Sequence, residues 1–418
     1  MLANRFASGI DQSPTATGPY APSGNPHDLE FQLLTRSALW PRRPEDRQAV
    51  RTLAQENIDW NVFLDMVALH RLTPIIFHNL AEYVSDVVPP PILMRLERET
   101  TAKGLAALQN LSELLRLQKL LSEAAIDLRI LKGIPLAILA YDNPGLRESG
   151  DIDLLIKEKD IAAAHDLLSR QGYVREEPHG ELTPRRFAYY TAHWKDFVYF
   201  HPTTGHSVEL HWRLTRNRAM SGALPANPES SSWINSGSAE IHCLSFDDLF
   251  LYLCVHGALD GWMRLKSLAD IVSLCRDISA SELERLVGLA NRAGVLPEVS
   301  AALLLANRVF GVNIVSLGTL PASHGTVQHI LKFSWFAISS NDYQLRREEI
   351  TGQQWVRYEL GLRSGLYYRW QVLQRIFFRT RVWSAVNLPD SLFLLYPFVS
   401  PFEWLFFHSA RRKERREN

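Results

Sequence analysis

The sequence is poor in cysteine, with only three (Cys243, Cys254 and Cys275) in 418 residues. Their number is odd and their spacing matches no metal-ligand pattern, which excludes a disulfide framework and a cysteine-based metal site and points to a reducing cytoplasm. An excess of charge is also missing: 45 basic residues balance 45 acidic ones. No global electrostatic case exists for nucleic acid or an anionic surface as partner. There is no internal repeat. Near the N-terminus Arg5 is followed by no continuous apolar region, because Ser8, Asp11 and Ser13 interrupt it, so no signal peptide is expected. The most apolar run, Leu388 to Phe407, is broken by Pro389, Pro397, Pro401, Asp390 and Glu403, which argues against a continuous membrane-spanning helix. Two readings remain for it: packing over a helical domain, or a membrane-peripheral contact through residues 388–416, whose Arg411, Arg412, Lys413, Arg415 and Arg416 form a basic flank.

What is present reads as an ordinary soluble composition, long enough for two or three substructures with sizeable cores. Residues 1–27 are rich in Ser, Pro, Gly, Thr and Asn and are expected to be a disordered leader. Residues 28–123 carry helical periodicity: two amphipathic helices around Ile58 to Leu80, broken near Thr73-Pro74, then a helix starting at Pro89-Pro90-Pro91. A stripe of Leu105, Leu108, Leu111, Leu115 and Leu120 on that helix is expected to pack along a core, and the whole segment to be scaffold. Strand signals occupy 124–244, with 216–240 expected to be a surface excursion and Ile241 to Leu244 a last strand. Helices are expected over 245–387, and 388–418 holds the apolar segment and basic tail.

The chemistry concentrates between Asp127 and Ile156. A short strand (Leu128, Ile130, Leu131) leads into Lys132-Gly133, a helical stretch and a Pro144-Gly145 turn, then Asp151-Ile152-Asp153-Leu154-Leu155-Ile156. On a strand, residues i and i+2 share a face, so Asp151 and Asp153 project together while Ile152 and Leu154 enter a core. Two like charges side by side call for a cation. Downstream, Lys195 to Phe200 and His206 to Trp212 alternate like a hairpin, with Glu209 and His211 on one face. Two carboxylates on the strand after a glycine turn and a third on a later strand suit nucleotidyl transfer, in which two Mg²⁺ ions neutralise the triphosphate and activate the attacking oxygen. His256, Asp260 and Arg264 recur every four residues and are expected to stack on one helix face, either as a charge ladder or as a helix closing over the acceptor side.

Leu131-Lys132-Gly133, Tyr141, Pro144-Gly145, Arg147, Asp151-Ile152-Asp153-Leu154-Leu155-Ile156, Gly172-Tyr173, Val208-Glu209-Leu210-His211-Trp212 and His256-Gly257-Ala258 with Trp262, Arg264, Leu265 and Asp270 resemble the uncharacterised bacterial nucleotidyltransferase family proteins, a divergent branch of the polymerase-beta-like nucleotidyltransferase superfamily. The resemblance implies an α+β fold: a palm of small mixed β-sheet and flanking helices between helical N- and C-terminal segments. It implies Asp151, Asp153 and Glu209 as catalytic metal ligands for Mg²⁺ (or Mn²⁺), and Lys132, Gly133 and Arg147 on the nucleotide. His211, His256 and Arg264 then fall to the acceptor side. The implied reaction moves a nucleotidyl group, AMP first among them, from an NTP to a hydroxyl or phosphate of a small molecule, sugar or modified peptide, in polysaccharide or natural-product biosynthesis. Arg147 has a second reading as a structural arginine paired with Glu148 or Asp151. The sequence departs from the superfamily where Lys132 replaces a glycine, where Ile134-Pro135 follows the turn, and where Asp260 replaces a second histidine. These departures motivate a rival of another class, a non-catalytic palm serving as an interaction module. A toxin-like enzyme that nucleotidylates a protein would share the site.

Overall fold

Proline, glycine and side-chain caps punctuate the helices of the N-terminal half. The computed structural model describes residues 28–40, 44–221, 230–312, 320–339, 352–378 and 386–399, with isolated positions 224, 314, 380, 382 and 383. The leader expected over 1–27 and the basic run 411–416 lie outside the described residues. Helices α1 (Asp28–Ser37), α2 (Pro44–Ala54), α3 (Trp60–His70), α4 (Thr73–Val84) and α5 (Pro90–Glu123) come first. Asp59 caps α3 by accepting from the Asn61 and Val62 N–H groups, and Arg71, in the left-handed region at φ 54°, ends it. Pro74 then sits in the first turn of α4, where its missing N–H costs nothing. Helix α5 starts within the proline run, as its sequence predicts.

The leucine stripe expected on α5 packs in part: Leu111 and Leu115 lie partly buried against the sheet core, but the fully buried face is another. Leu105 and Leu108 are each 59% exposed, and the buried side is Ala107, Asn110, Leu114, Leu117 and Leu121. Polar contacts select this side. Asn110 donates through Nδ2 to the Ser149 carbonyl at 3.3 Å, and its Oδ1 lies 3.1 Å from His206 Nδ1. Leucines are so dense on α5 that either stripe has helical spacing, and hydrophobic period alone does not choose between them.

Next comes β1 (Leu128–Ile130), then α6 (Ile134–Tyr141), β2 (Asp151–Ile156), α7 (Ile161–Arg170) and β3 (Val174–Glu177). They are followed by α8 (Pro184–His193), β4 (Asp196–Phe200), β5 (Ser207–His211), the short α9 (Arg218–Ser221), β6 (Ser231–Ser236) and β7 (Ala239–Leu244). The strands form one mixed sheet in the order β3-β4-β5-β2-β1-β7-β6. Strand β2 runs antiparallel to β1 and parallel to β5. The expected surface excursion over 216–240 is corrected in part: Ser231–Ser236 pairs antiparallel with β7 along its whole length. Its polar, serine-rich composition suits an edge strand, which is half solvated, and so masks the strand signal.

Helices α10 (Phe246–Leu259), α11 (Leu265–Leu274), α12 (Ala280–Arg292), α13 (Leu296–Phe310), α14 (Gly325–Ser339), α15 (Gly352–Gly361) and α16 (Leu366–Phe377) complete the described helices. Two cores result. One packs α1–α4 with α6, α10, α11, α13 and later helices. The other lies on the apolar face of the sheet, where Ile152, Leu154, Ile156, Val208, Leu210, Phe197 and Tyr199 meet α5, α7 and α8. All three cysteines are buried and free. Among the described residues no helix is long and apolar enough to cross a membrane.

Candidate functional site

The opposite face of the sheet is charged. Register places Asp153 directly beside Glu209 across the parallel β2/β5 pair and Asp151 beside Ser207, while Asp196 of β4 sits opposite His211. Cross-strand partners share a face, so four carboxylates and an imidazole occupy one side of three neighbouring strands.

Asp153 is the centre of this group and is 1% exposed. Its Oδ1 receives Lys132 Nζ at 3.0 Å and lies 3.3 Å from His211 Nε2, whereas its Oδ2 is buried with no hydrogen-bond partner among the described residues. Lys132 reaches this position because Leu131 N–H bonds the Asp153 carbonyl at 3.1 Å at the end of β1, and its ammonium is also 3.9 Å from Asp151 Oδ2. Gly133 follows at φ 75°. A Cβ there would stand 3.2 Å from Ser149 Oγ, so this turn needs glycine on both counts.

His211 links the two sides of the cluster. Nε2 is 3.1 Å from Glu209 Oε2, and Nδ1 is 3.3 Å from Lys195 Nζ and 3.7 Å from Asp196 Oδ2; Lys195 pairs with Asp196 in turn. Burial favours the neutral form of Asp153, Asp196, Lys132 and His211, and the charges around each of these four overcome it. Burial would raise Asp153, yet Lys132 and His211 hold its carboxyl well below the usual range. Asp196 is lowered against burial by Lys195 and His211. Burial would lower Lys132, yet the surrounding negative groups, led by Asp153, raise it well above its ordinary value. His211 is likewise raised, its bonds to Asp153 and Glu209 outweighing burial and the nearby Lys195.

A cleft of about 910 Å³ opens over this face. Asp151, Glu209, Lys132, Arg147, His256 and Arg264 all line it, so positions far apart in sequence share one cavity. Arg147 has both prongs of its fork engaged: Nε donates to Asp270 Oδ1 at 2.9 Å and Nη2 to Oδ2 at 3.0 Å, with the Tyr141 hydroxyl on the same Oδ1 at 2.9 Å. Its partner is therefore Asp270 of α11, not Glu148 or Asp151. The single-face ladder of His256, Asp260 and Arg264 is corrected. Helix α10 ends at Leu259, Gly261 (φ 61°) and Trp262 (φ 50°) turn the chain, and Arg264 caps α11. The elbow nonetheless brings all three residues to the cleft. His256 stacks edge-on to Tyr252, with Nδ1 3.3 Å from Asp260 Oδ2, and desolvation pushes its pKa down to about 4.

Sequence reasoning missed Lys195 and Asp196, although the hairpin alternation it recognised already sets Asp196 opposite His211. It also missed Tyr252, whose buried hydroxyl has no hydrogen-bond partner among the described residues, Lys266, which sits inside the Arg264–Asp270 motif, and Arg71, which lines the cleft from a segment with no motif.

Asp153, Glu209 and His211 each offer a ligand atom, all within 4.8 Å of one another. Two carboxylates, one of them with the Asp153 Oδ2 unpartnered among the described residues, and an imidazole are a donor set that fits a small divalent cation. This closest triple contains His211 where the sequence reading had Asp151.

A family model described as "uncharacterised nucleotidyltransferase" matches residues 56–311, more than half of the chain. The chain belongs to this nucleotidyltransferase family. The match spans the whole sheet, the α10–α11 elbow and the N-terminal helices α3 to α5. Among solved structures the chain is similar to an antigenic nucleotidyltransferase-like protein from Paracoccidioides brasiliensis, at 16% identity over 51% of this chain and 96% of that one, with a TM-score of 0.26. Comparison with the curated proteins gives no match.

Proposed function

We propose that this member of the family transfers a nucleotidyl group, AMP first among the candidates, from an NTP to a hydroxyl or phosphate of a small molecule, sugar or modified peptide, with Mg²⁺ or Mn²⁺ as cofactor. The observation that carries it is the pairing of Asp153 with Glu209 across β2 and β5, with a buried Asp153 oxygen left without a partner. A polar atom buried in that state is costly unless a ligand completes it.

Asp153, Glu209 and His211 would hold the cation, with Asp151 beside them. Bound there, it supplies charge neutralisation for the triphosphate and a more acidic attacking hydroxyl. The protein's own groups do the rest. Lys132 stands between Asp151 and Asp153 and carries positive charge to the edge of the cleft. The Gly133 turn, next to Lys132, is the chain's counterpart of a phosphate turn and would offer its backbone N–H groups to the triphosphate. His256 is neutral at pH 7 and holds Asp260 through Nδ1, so its Nε2 accepts a hydrogen bond from an acceptor hydroxyl.

Calorimetry of MgATP or MnATP binding tests this reading. Wild type binds, and Asp153→Asn and Glu209→Gln each weaken binding by about tenfold to a hundredfold. A wild-type chain that binds no NTP, or an Asp151→Ala/Asp153→Ala double variant that binds equally well, removes its basis.

A second reading, the palm as an interaction module without catalysis, is favoured by Lys132. Its ammonium already serves as counter-charge to both aspartates. Mn²⁺ titration followed by electron paramagnetic resonance separates the two: uptake by wild type supports the enzyme, and uptake only by Lys132→Ala supports the module.

A further inference from the structure

We propose that Arg71, Arg264 and Lys266 form a subsite of the cleft for a multiply charged phosphoryl group. Two segments, the end of α3 and the start of α11, converge to build it. Arg71 is the left-handed residue that ends α3, Arg264 caps α11, and Lys266 lies in the first turn of α11. The junction is fixed by backbone bonds. Leu265 N–H donates to His70 Nδ1 at 3.2 Å, Thr73 N–H donates to Glu148 Oε1 at 3.0 Å, and Lys266 Nζ donates to the Glu148 carbonyl at 2.8 Å.

Four of the eight lysines and arginines that line the cleft already have carboxylate partners. Arg147 is on Asp270, Lys132 on Asp151 and Asp153, Lys195 on Asp196, and Arg375 on Glu359. Arg71 and Arg264 have no hydrogen-bonded or ion-paired partner among the described residues, and Lys266 has only a carbonyl. Arg216 also lacks a carboxylate partner, but no contact ties it to this junction. Asp270, the acid whose charge pulls on Lys266, has its two oxygens taken by Arg147 and Tyr141. Burial and Arg147 push the Lys266 pKa down to about 7 against the opposing pull of Asp270, with smaller pushes from Arg71 and Lys132. An enclosed ammonium between guanidinium groups lacks counter-charge, and an anion supplies it.

Two guanidinium forks and an ammonium overmatch a single carboxylate and suit a phosphate or polyphosphate. The cleft, at about 910 Å³, has room for such a group together with a ligand at the carboxylate cluster. The subsite rests on the nucleotidyl-transfer reading only for the source of the phosphate: the polyphosphate tail of the donor, or a phosphate carried by the acceptor.

Calorimetry with sodium tripolyphosphate, on the full chain at low ionic strength with EDTA present, tests the subsite apart from any metal. The wild type binds; Arg71→Gln and Arg264→Gln each lose about tenfold in affinity, and Arg264→Lys keeps most of it. No binding by wild type, or equal binding by both glutamine variants with native circular dichroism, overturns the proposal. Should either variant fail to fold, Lys266→Gln is read in its place by the same criterion. ATP that competes with tripolyphosphate identifies the donor tail as occupant, and MgATP that binds alongside it identifies a phosphorylated acceptor. Tripolyphosphate binding without any MgATP binding leaves the subsite standing and sinks the transfer reading; the reverse sinks the subsite alone.

Discussion

Asp270 decides what Arg147 is able to do. Its two oxygens take the whole guanidinium fork and a tyrosine hydroxyl, and the side chains of Arg147 and Asp270 are 5% and 1% exposed. Buried this deeply, the pair is expensive to break, because the partner left behind keeps its charge without solvent. Asp270→Asn is expected to destabilise the fold by about 3–5 kcal/mol, measured by urea unfolding. A variant as stable as wild type would mean that Arg147 finds its counter-charge elsewhere. At this scale the sequence is a mixed guide. Asp151, Asp153 and Glu209 were legible because strand alternation fixes which residues share a face. The partner of Arg147 was not legible, since a residue 123 positions away supplies it.

Among the elements, the α10–α11 elbow shapes the cleft most. Trp262, left-handed at φ 50° and buried, lays its ring against Gly257, where an added Cβ would come within 2.4 Å of ring carbons. The glycine lets the chain fold back, so that Asp260, Met263 and Arg264 reach the cleft. Gly257→Ala forces the indole out of its seat and is expected to cost about 1–3 kcal/mol, seen as a lower thermal midpoint and altered Trp fluorescence. An unchanged midpoint would show that the ring has room to move. The four-residue spacing of His256, Asp260 and Arg264 predicts one continuous helix; the steric fit of Trp262 over Gly257 turns the chain instead. On α5 the choice between two leucine stripes fell to Asn110, whose bonds to Ser149 and His206 exist only once the loop and hairpin have folded.

Taken whole, the molecule uses parts that looked peripheral in sequence. Helix α3 was expected to be scaffold, yet Arg71 at its end lines the cleft. The start of the apolar tail, Leu388 to Val399, packs onto the sheet core: Phe393 and Tyr396 are buried there, and the Tyr396 hydroxyl accepts from Arg186 Nη2 at 2.9 Å and donates to the Val386 carbonyl at 2.9 Å. Ending the chain after Asn387 is expected to destabilise it by at least about 3–5 kcal/mol, the cost of one lost buried aromatic, and calorimetric unfolding reads this directly. A truncated chain that melts with wild type would make the contacts incidental.

By itself the sequence determined the mixed α/β organisation, the strands β1, β2, β4 and β5, and the face that carries the acids. Those properties follow from local alternation, turn residues and capping, which act within a few positions. Only the tertiary structure decided that His211 joins Asp153 and Glu209, that Arg147 is committed to Asp270, and that Arg71 and Lys266 meet at one end of a shared junction. Each of these depends on bringing together segments tens to hundreds of residues apart, and no short-range pattern encodes that convergence.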